Sequence, residues 1–477
     1  MILISADPGH DRTGKAKASP YRYGRLQPWR GSCYCRDVLS WAGRLIVIAL
    51  LLAVLVFVWQ RPTTLKRVFQ PASPYERYAA SLREAGLAET ALGRSWIQAG
   101  EQALVRAVRV ALPFREAGYF APTEAAAAGY QFRLRRGQQL IIECEVQAAE
   151  AFHLFLDVFR QGETLTRIAS ATAEGRKLQL EAEEDGTYIV RVQPELLRGG
   201  RFVLTQRVTA SLAFPVPAAA GRVQSVFGDR RDAGKRRHEG VDIFAPRGTR
   251  AVAASDGVIR RVGTNTLGGN VVWLWDDSRG LSLYYAHLDR ATVRPGARVR
   301  AGDTVGLIGN TGNARATHSH LHFGIYAFAA GALDPVPFVV PPRGSLPAIP
   351  SDLTALGGLR RVARPGASLR DGEDEPSGVP LKPHTVFRVD AASGARLRVR
   401  LPDGTSGFIA RADTEPLAAT VRRLTPPAPL PLLDRPRGDA AVMASVTPGE
   451  PLPVLGEFEG FLLVRDPRGQ QGWIANP

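Results

Sequence analysis

His318-Ser-His320-Leu-His322 is the stretch on which the reading of this chain turns. Along a β-strand, residues two apart point to the same face. His320 and His322 therefore share one side while Leu321 enters a core, and Phe323 and Ile325 continue the apolar alternation. Working outward, the neighbouring histidines are His238, in His238-Glu-Gly-Val-Asp242, and His287, in Tyr285-Ala-His287-Leu288. Five of the eight histidines thus fall between residues 238 and 322. Histidine is the commonest metal ligand among side chains and titrates near neutrality. Concentrating a scarce residue in one stretch points to chemistry rather than packing.

A Zn2+ ion held by His238, Asp242 and His322 has three protein ligands and an open fourth tetrahedral position, one ion per chain. That is the pattern of a catalytic rather than a structural zinc. All three are nitrogen or oxygen donors, and no cysteine lies nearby to close the site. His287 and His320 are then candidates for moving a proton and stabilising charge that develops on a substrate.

Together these motifs resemble those of the M23 (LytM/lysostaphin-type) zinc metallopeptidases. The connecting sequence is similar too. Ser225-Val-Phe-Gly228 precedes the first motif and Ala245-Pro-Arg-Gly-Thr249 follows it, while Gly309-Asn-Thr-Gly312 leads into the third. The resemblance covers about residues 220–335. It implies zinc ligation by His238, Asp242 and His322, catalytic roles for His287 and His320, and no required role for His318. It further implies hydrolysis of peptide cross-links in cell-wall peptidoglycan. The D-alanyl–diaminopimelate bond is preferred over oligoglycine bridges, because an anchored, exported hydrolase suits a Gram-negative-type periplasm. The alternatives are a non-catalytic relative that activates other wall hydrolases, or a wall-binding scaffold.

The remaining sequence says where this chemistry happens. Residues 45–59 form the only long apolar run, bounded by Arg44 and Arg61 with Trp41 and Trp59 at interfacial positions. Before it stand eight Lys+Arg against three Asp+Glu, which places the N-terminus in the cytoplasm by the positive-inside rule. With no small-x-small cleavage site after the run, an uncleaved signal-anchor is expected. The chain is then single-pass in the cytoplasmic (inner) membrane, with its catalytic part periplasmic. The net charge of +16 suits an anionic envelope or membrane surface. Its arginines are dispersed and no nucleic-acid-binding motif stands out, so nucleic acid is not an expected partner. Cys33, Cys35 and Cys144 do not make a disulfide framework.

The expected architecture is mainly β and multidomain. A basic cytoplasmic segment (1–44) and a transmembrane signal-anchor (45–61) lead into a helical and linker region (62–127). There, Ser73-Pro74-Tyr75-Glu76 reads as a capping box opening a helix to about Ala85. A second helix over about 88–110 carries Leu92, Trp96, Leu104 and Val108 on its apolar face. Short alternating strands at 128–214 resemble the bacterial pre-peptidase type of β-sandwich, within which His153 is expected to be partly buried. An antiparallel-β peptidase domain (215–340) and a Pro-rich linker (341–351) follow. Leu397–Ala410 then repeats at Leu462–Ala475, with eight of fourteen positions identical. The repeat resembles bacterial SH3-like barrels, giving two such domains at 352–416 and 425–477. They imply wall binding, and Phe408 and Trp473 are expected to be core residues rather than recognition aromatics.

Overall fold

Alternation of apolar and polar residues sets most of the strands. In Gln138–Gln147, Leu140, Ile142 and Cys144 are buried at every second position, as a sheet with one covered face requires. The computed structural model describes residues 43, 45–49 and 71–477, apart from 148–151, 173–175, 218–219, 329, 373–374 and 376. Over these the chain is mainly β, in several sheets with few helices. Residues 43 and 45–49 are helical; the rest of the expected span 45–61, the other residues of the basic segment before it, and Cys33 and Cys35 lie outside the described residues. Among the described residues, no helix is long and apolar enough to cross a membrane.

The helix Pro74–Glu84 opens on the expected capping box. Ser73 Oγ accepts the Glu76 amide at 3.1 Å, and the Ser73 amide donates to Glu76 Oε2 at 2.8 Å. The second helix is shorter than expected, Ala91–Val105, because Thr90 caps it and the chain turns extended at Val108–Arg109. Its buried face also differs. Gly93, Trp96, Gly100 and Ala103 pack inward, while Leu92 and Leu104 are only half-buried. Small residues let this helix approach closely enough for Trp96 Nε1 to donate to the Pro194 carbonyl at 2.8 Å.

Two sheets form a sandwich, whose strands also include Val108–Arg109 and Phe114–Phe120 upstream of residue 128. One sheet does not stop at the sandwich. Phe114–Phe120 pairs on one side with Gly200–Ala210 and on the other with Val386–Ser393, through Ala117↔Ala392 and Gly118↔Ala391. Arg396–Arg400 and Ser406–Ala410 extend the same sheet. The first C-terminal module is therefore continuous with the sandwich. Phe408 is fully buried against Phe114 in the sandwich core. Trp473 is buried in a second core, which unites Val386 and Phe387 with Leu455 and Leu463. The segment 341–351 has no regular structure but is tied down: the Gly394 amide donates to the Ala348 carbonyl at 2.9 Å. His153 is exposed rather than partly buried: its backbone amide donates to Glu195 at 3.0 Å and its ring Nδ1 lies 3.9 Å from the same carboxylate at the surface.

The sheet that positions the histidines is antiparallel along Arg222–Ser225, Val241–Phe244, His320–Ala327, Leu281–Ala291, Gly269–Asp276 and Gly257–Asn265. Leu321, Phe323 and Ile325 enter its core with Val241, Ile243 and Tyr285, all fully buried. The sandwich is fixed to this sheet by the Leu212 amide on the Phe338 carbonyl (2.8 Å) and by Arg279, which reaches Glu181 at 2.9 Å.

Candidate metal centre

Register brings the first and third motifs together. Asp242 lies opposite His322 in the antiparallel pairing, and His322 lies opposite Ala286 on its other side. With Ile243 and Leu321 in the core, Asp242 and His322 share the opposite face. His238 arrives from the turn after the small hairpin Arg230–Arg231/Arg236–Arg237, its backbone held by the Asp229 carbonyl and the Gly228 amide at 2.8 Å each. Gly240 is required between them. A Cβ there would lie 2.5 Å from the Phe323 carbonyl oxygen and 2.8 Å from the His322 ring.

Three donor atoms converge as a result. His238 Nε2, Asp242 Oδ1 and His322 Nδ1 are 3.0 Å from one another on every side. Zinc with bonds of 2.0–2.1 Å sets a tetrahedral edge of about 3.3 Å, so the triangle fits the ion with a shift of a few tenths of an ångström. The His238 ring is oriented from behind, since its Nδ1 can only donate to the Val226 carbonyl at 2.9 Å, leaving Nε2 as the donor lone pair. Burial alone would raise the Asp242 carboxyl, but hydrogen bonds and charge from His238 and His322 outweigh it and hold the group well below the usual range. Burial pushes the His322 imidazole down. Both trends leave the donors in the forms a cation needs. Among the described residues, no other group of three or more His, Cys, Asp or Glu side chains converges this way.

His287 and His320 stand beside the triangle. His320 Nε2 is 3.9 Å from Asp242 Oδ1, and the His287 and His320 rings meet edge-on with centroids 4.9 Å apart. Each ring gives Nδ1–H to a backbone carbonyl, His287 to Thr311 at 2.8 Å and His320 to His318 at 2.9 Å. Both therefore keep Nε2 as the acceptor in the neutral form. Burial, with His320 close by, pushes the His287 imidazole down to about 4. The His318 side chain is exposed, and its contribution is the carbonyl that orients His320.

His287 reaches the groove through a break in the pleat. Its φ is +60°, in the left-handed region that a bulky side chain rarely adopts. The pairing with Gly269–Asp276 slips at the same place, between Asn270↔Leu288 and Val272↔Tyr285. This is a β-bulge, which re-aims a side chain. Tyr285 and Leu288 both face the core, and the intervening Ala286 and His287 both line the groove.

The groove encloses about 900 Å³ and is lined by residues between 230 and 326 alone. No described part of the sandwich or the C-terminal modules covers it. Arg230, Arg231 and Arg236 stand along part of its wall, and Trp273, Tyr284 and Tyr326 along another. The sequence motifs did not point to these six. Trp273 and Tyr284 had a signal in the alternation around Val271-Val-Trp273 and Tyr284-Tyr-Ala286, and Tyr326 in that of the strand after His322, whereas the arginines were masked by the general arginine excess.

Residues 236–335 match Peptidase family M23, and residues 427–477 match the Bacterial SH3 domain. The chain thus carries an M23 peptidase domain and a C-terminal bacterial SH3 domain. Over 106 residues it is 39% identical to a peptidoglycan DD-endopeptidase, ShyC, of Vibrio cholerae, a match covering 21% of this chain and 24% of that protein. Over 104 residues it is 39% identical to the glycyl-glycine endopeptidase ALE-1 of Staphylococcus capitis, covering 21% and 29%. The catalytic domain of lysostaphin from Staphylococcus simulans is 33% identical over 25% of this chain and 91% of that structure, with a TM-score of 0.23. These matches span about a quarter of the length of the two curated relatives.

Proposed function

We propose that this protein is a zinc metalloendopeptidase that hydrolyses peptide cross-links of peptidoglycan. The observation that carries the reading is the open groove in which three donors converge beside two imidazoles, each with Nε2 free. His238, Asp242 and His322 would hold the ion. When bound, zinc supplies Lewis acidity, which polarises a carbonyl oxygen and acidifies water. The remaining work falls to the two histidines. A neutral imidazole with Nδ1 tied to a carbonyl accepts a proton from the attacking water at Nε2. From the same atom it then donates to the oxyanion or to the departing amine. His287, with its depressed basicity, stays neutral and able to accept at physiological pH.

The D-alanyl–diaminopimelate bond is the proposed target, supported by the likeness to a DD-endopeptidase and by the expected export. A likeness of equal identity to a glycyl-glycine endopeptidase keeps oligoglycine as the comparison substrate. The single-pass anchor at 45–61 in the cytoplasmic membrane, with a periplasmic catalytic part, belongs to the same proposal and rests on the apolar run and its basic flank. Wall binding by the C-terminal modules rests on the SH3 match over residues 427–477 and on the repeat that links Leu397–Ala410 to it. It does not use Phe408 or Trp473, which are buried.

Digestion of purified sacculi by the zinc-loaded protein, read by mass spectrometry, tests the reading. The expected product carries a new diaminopimelate amine, lost together with bound zinc in His322→Ala. Intact sacculi with the zinc-loaded parent protein would sink the enzyme reading. An unchanged biological role in His322→Ala would favour an activator or scaffold.

A further inference from the structure

Asp242 gives one oxygen to the donor triangle and the other to an arginine. Arg231 Nη2 lies 2.5 Å from Asp242 Oδ2 and 2.5 Å from Ser225 Oγ. Ser225 in turn donates to Asp229 Oδ2 at 2.9 Å, and the same oxygen accepts the Val226 amide at 2.9 Å. The Val226 carbonyl is the group that orients His238. One connected set of hydrogen bonds thus reaches two of the three donors from behind, and Arg231 is the cation that these bonds join to Asp242. Its side chain, about a third exposed, stands at the edge of the groove on the hairpin that leads to His238.

We propose that Arg231 is a positioning residue that restricts Asp242 to a single oxygen donor and so keeps the fourth coordination position open. The inference rests on the reading of His238, Asp242 and His322 as the zinc ligands. A carboxylate can bind a metal through one oxygen or two, and nothing in the backbone of Val241–Phe244 selects between them. What selects is the partner of the second oxygen. A guanidinium is always charged and directs its N–H groups in a fixed plane. It therefore holds Oδ2 away from the triangle and at the same time satisfies a buried charge. Without it, Oδ2 would be free to turn toward the ion and take up a further coordination position. Carboxylate–metal partners of this kind commonly change metal affinity about 10–100-fold when removed.

The test uses the full chain with Arg231→Gln, Arg231→Lys and, as a control from the same hairpin, Arg230→Gln. Zinc affinity is measured by competition with a chromophoric chelator, and the visible spectrum of the Co2+-substituted protein reports coordination number. The expected result for Arg231→Gln is a loss of about 10–100-fold in zinc affinity, with weaker cobalt bands as coordination rises above four. Arg231→Lys retains more affinity, and Arg230→Gln changes neither readout. Should Arg231→Gln fail to fold, Arg231→Lys carries the same two measurements, with a smaller loss expected. Parent-like affinity and spectrum in the Arg231 variants overturn the inference, as does an equal effect from Arg230→Gln. A parent protein that binds no zinc overturns the ligand assignment itself, which is a distinguishable outcome.

Discussion

Arg398 and Glu116, 282 positions apart in the chain, form a two-pronged ion pair inside the protein, at 2.9 and 3.1 Å. Glu116 is fully buried and also accepts from the Tyr130 hydroxyl at 2.5 Å. The pair joins the sandwich to the first C-terminal module at the sheet they share.

Removing one partner leaves a charge stranded in the interior. Arg398→Met is expected to destabilise the protein by about 3–5 kcal/mol, and Arg398→Met with Glu116→Leu to recover much of that loss. Urea denaturation followed by tryptophan fluorescence measures both. Equal stability of the single variant and the parent protein would show that the pair is solvated.

Phe408→Ala separates packing from recognition. Loss of a fully buried ring next to Phe114 should cost about 3–5 kcal/mol. Wall binding per folded molecule should stay unchanged, as measured by pull-down with sacculi. Weakened binding at unchanged stability would instead mark Phe408 as a contact residue.

Gly240→Ala probes the close approach of two strands at the metal centre. The new methyl meets the Phe323 carbonyl oxygen and the His322 ring, so the ring must move. Overpacking of this kind commonly costs about 1–3 kcal/mol. Zinc affinity should fall while the sandwich and C-terminal modules stay folded. Thermal melting with and without zinc reads both effects, and a variant with parental zinc affinity would show that His322 has room to spare.

The titration of His287 has a defined sign. Its folded value, about 4, lies below the ordinary value of 6.5. Between those limits the unfolded chain holds the extra proton, so acid favours unfolding. This contribution to the stability of the metal-free protein rises with pH from about 4 to 6.5 and is level above that. Imidazole NMR shifts of metal-free protein should show His287 neutral at pH 6. A midpoint near 6.5 would mean that its ring is hydrated.

Much of the donor triangle was legible because strand periodicity is local: His320-Leu-His322 declares its faces by itself, and Asp242 follows once its strand pairs. His287 was legible from the clustering of histidines and from likeness to a family, but not from strand periodicity. Simple alternation puts it on the same face as Tyr285, in the core, and the bulge that reverses this depends on pairing with Asn270 and Val272. The helix Ala91–Val105 shows the opposite failure. Leucines suggested one face, but glycines and Ala103 set the buried stripe, because close approach counted for more than side-chain volume. The shared sheet was invisible for a different reason. Ala117↔Ala392 is a backbone pairing between small residues, and such contacts leave no motif.

That shared sheet makes the molecule a gauge. A module on a flexible tether searches a volume, and its partner's local concentration depends on tether length. Here the hydrogen bonds of Phe114–Phe120 to Val386–Ser393, with Arg279 and Leu212 bracing the sandwich on the other side, leave no such freedom. The first C-terminal module is therefore held at a fixed place relative to His322. Under the proposed activity, the reach from a site on that module to the cut bond would be set by the protein's own dimensions rather than by a tether.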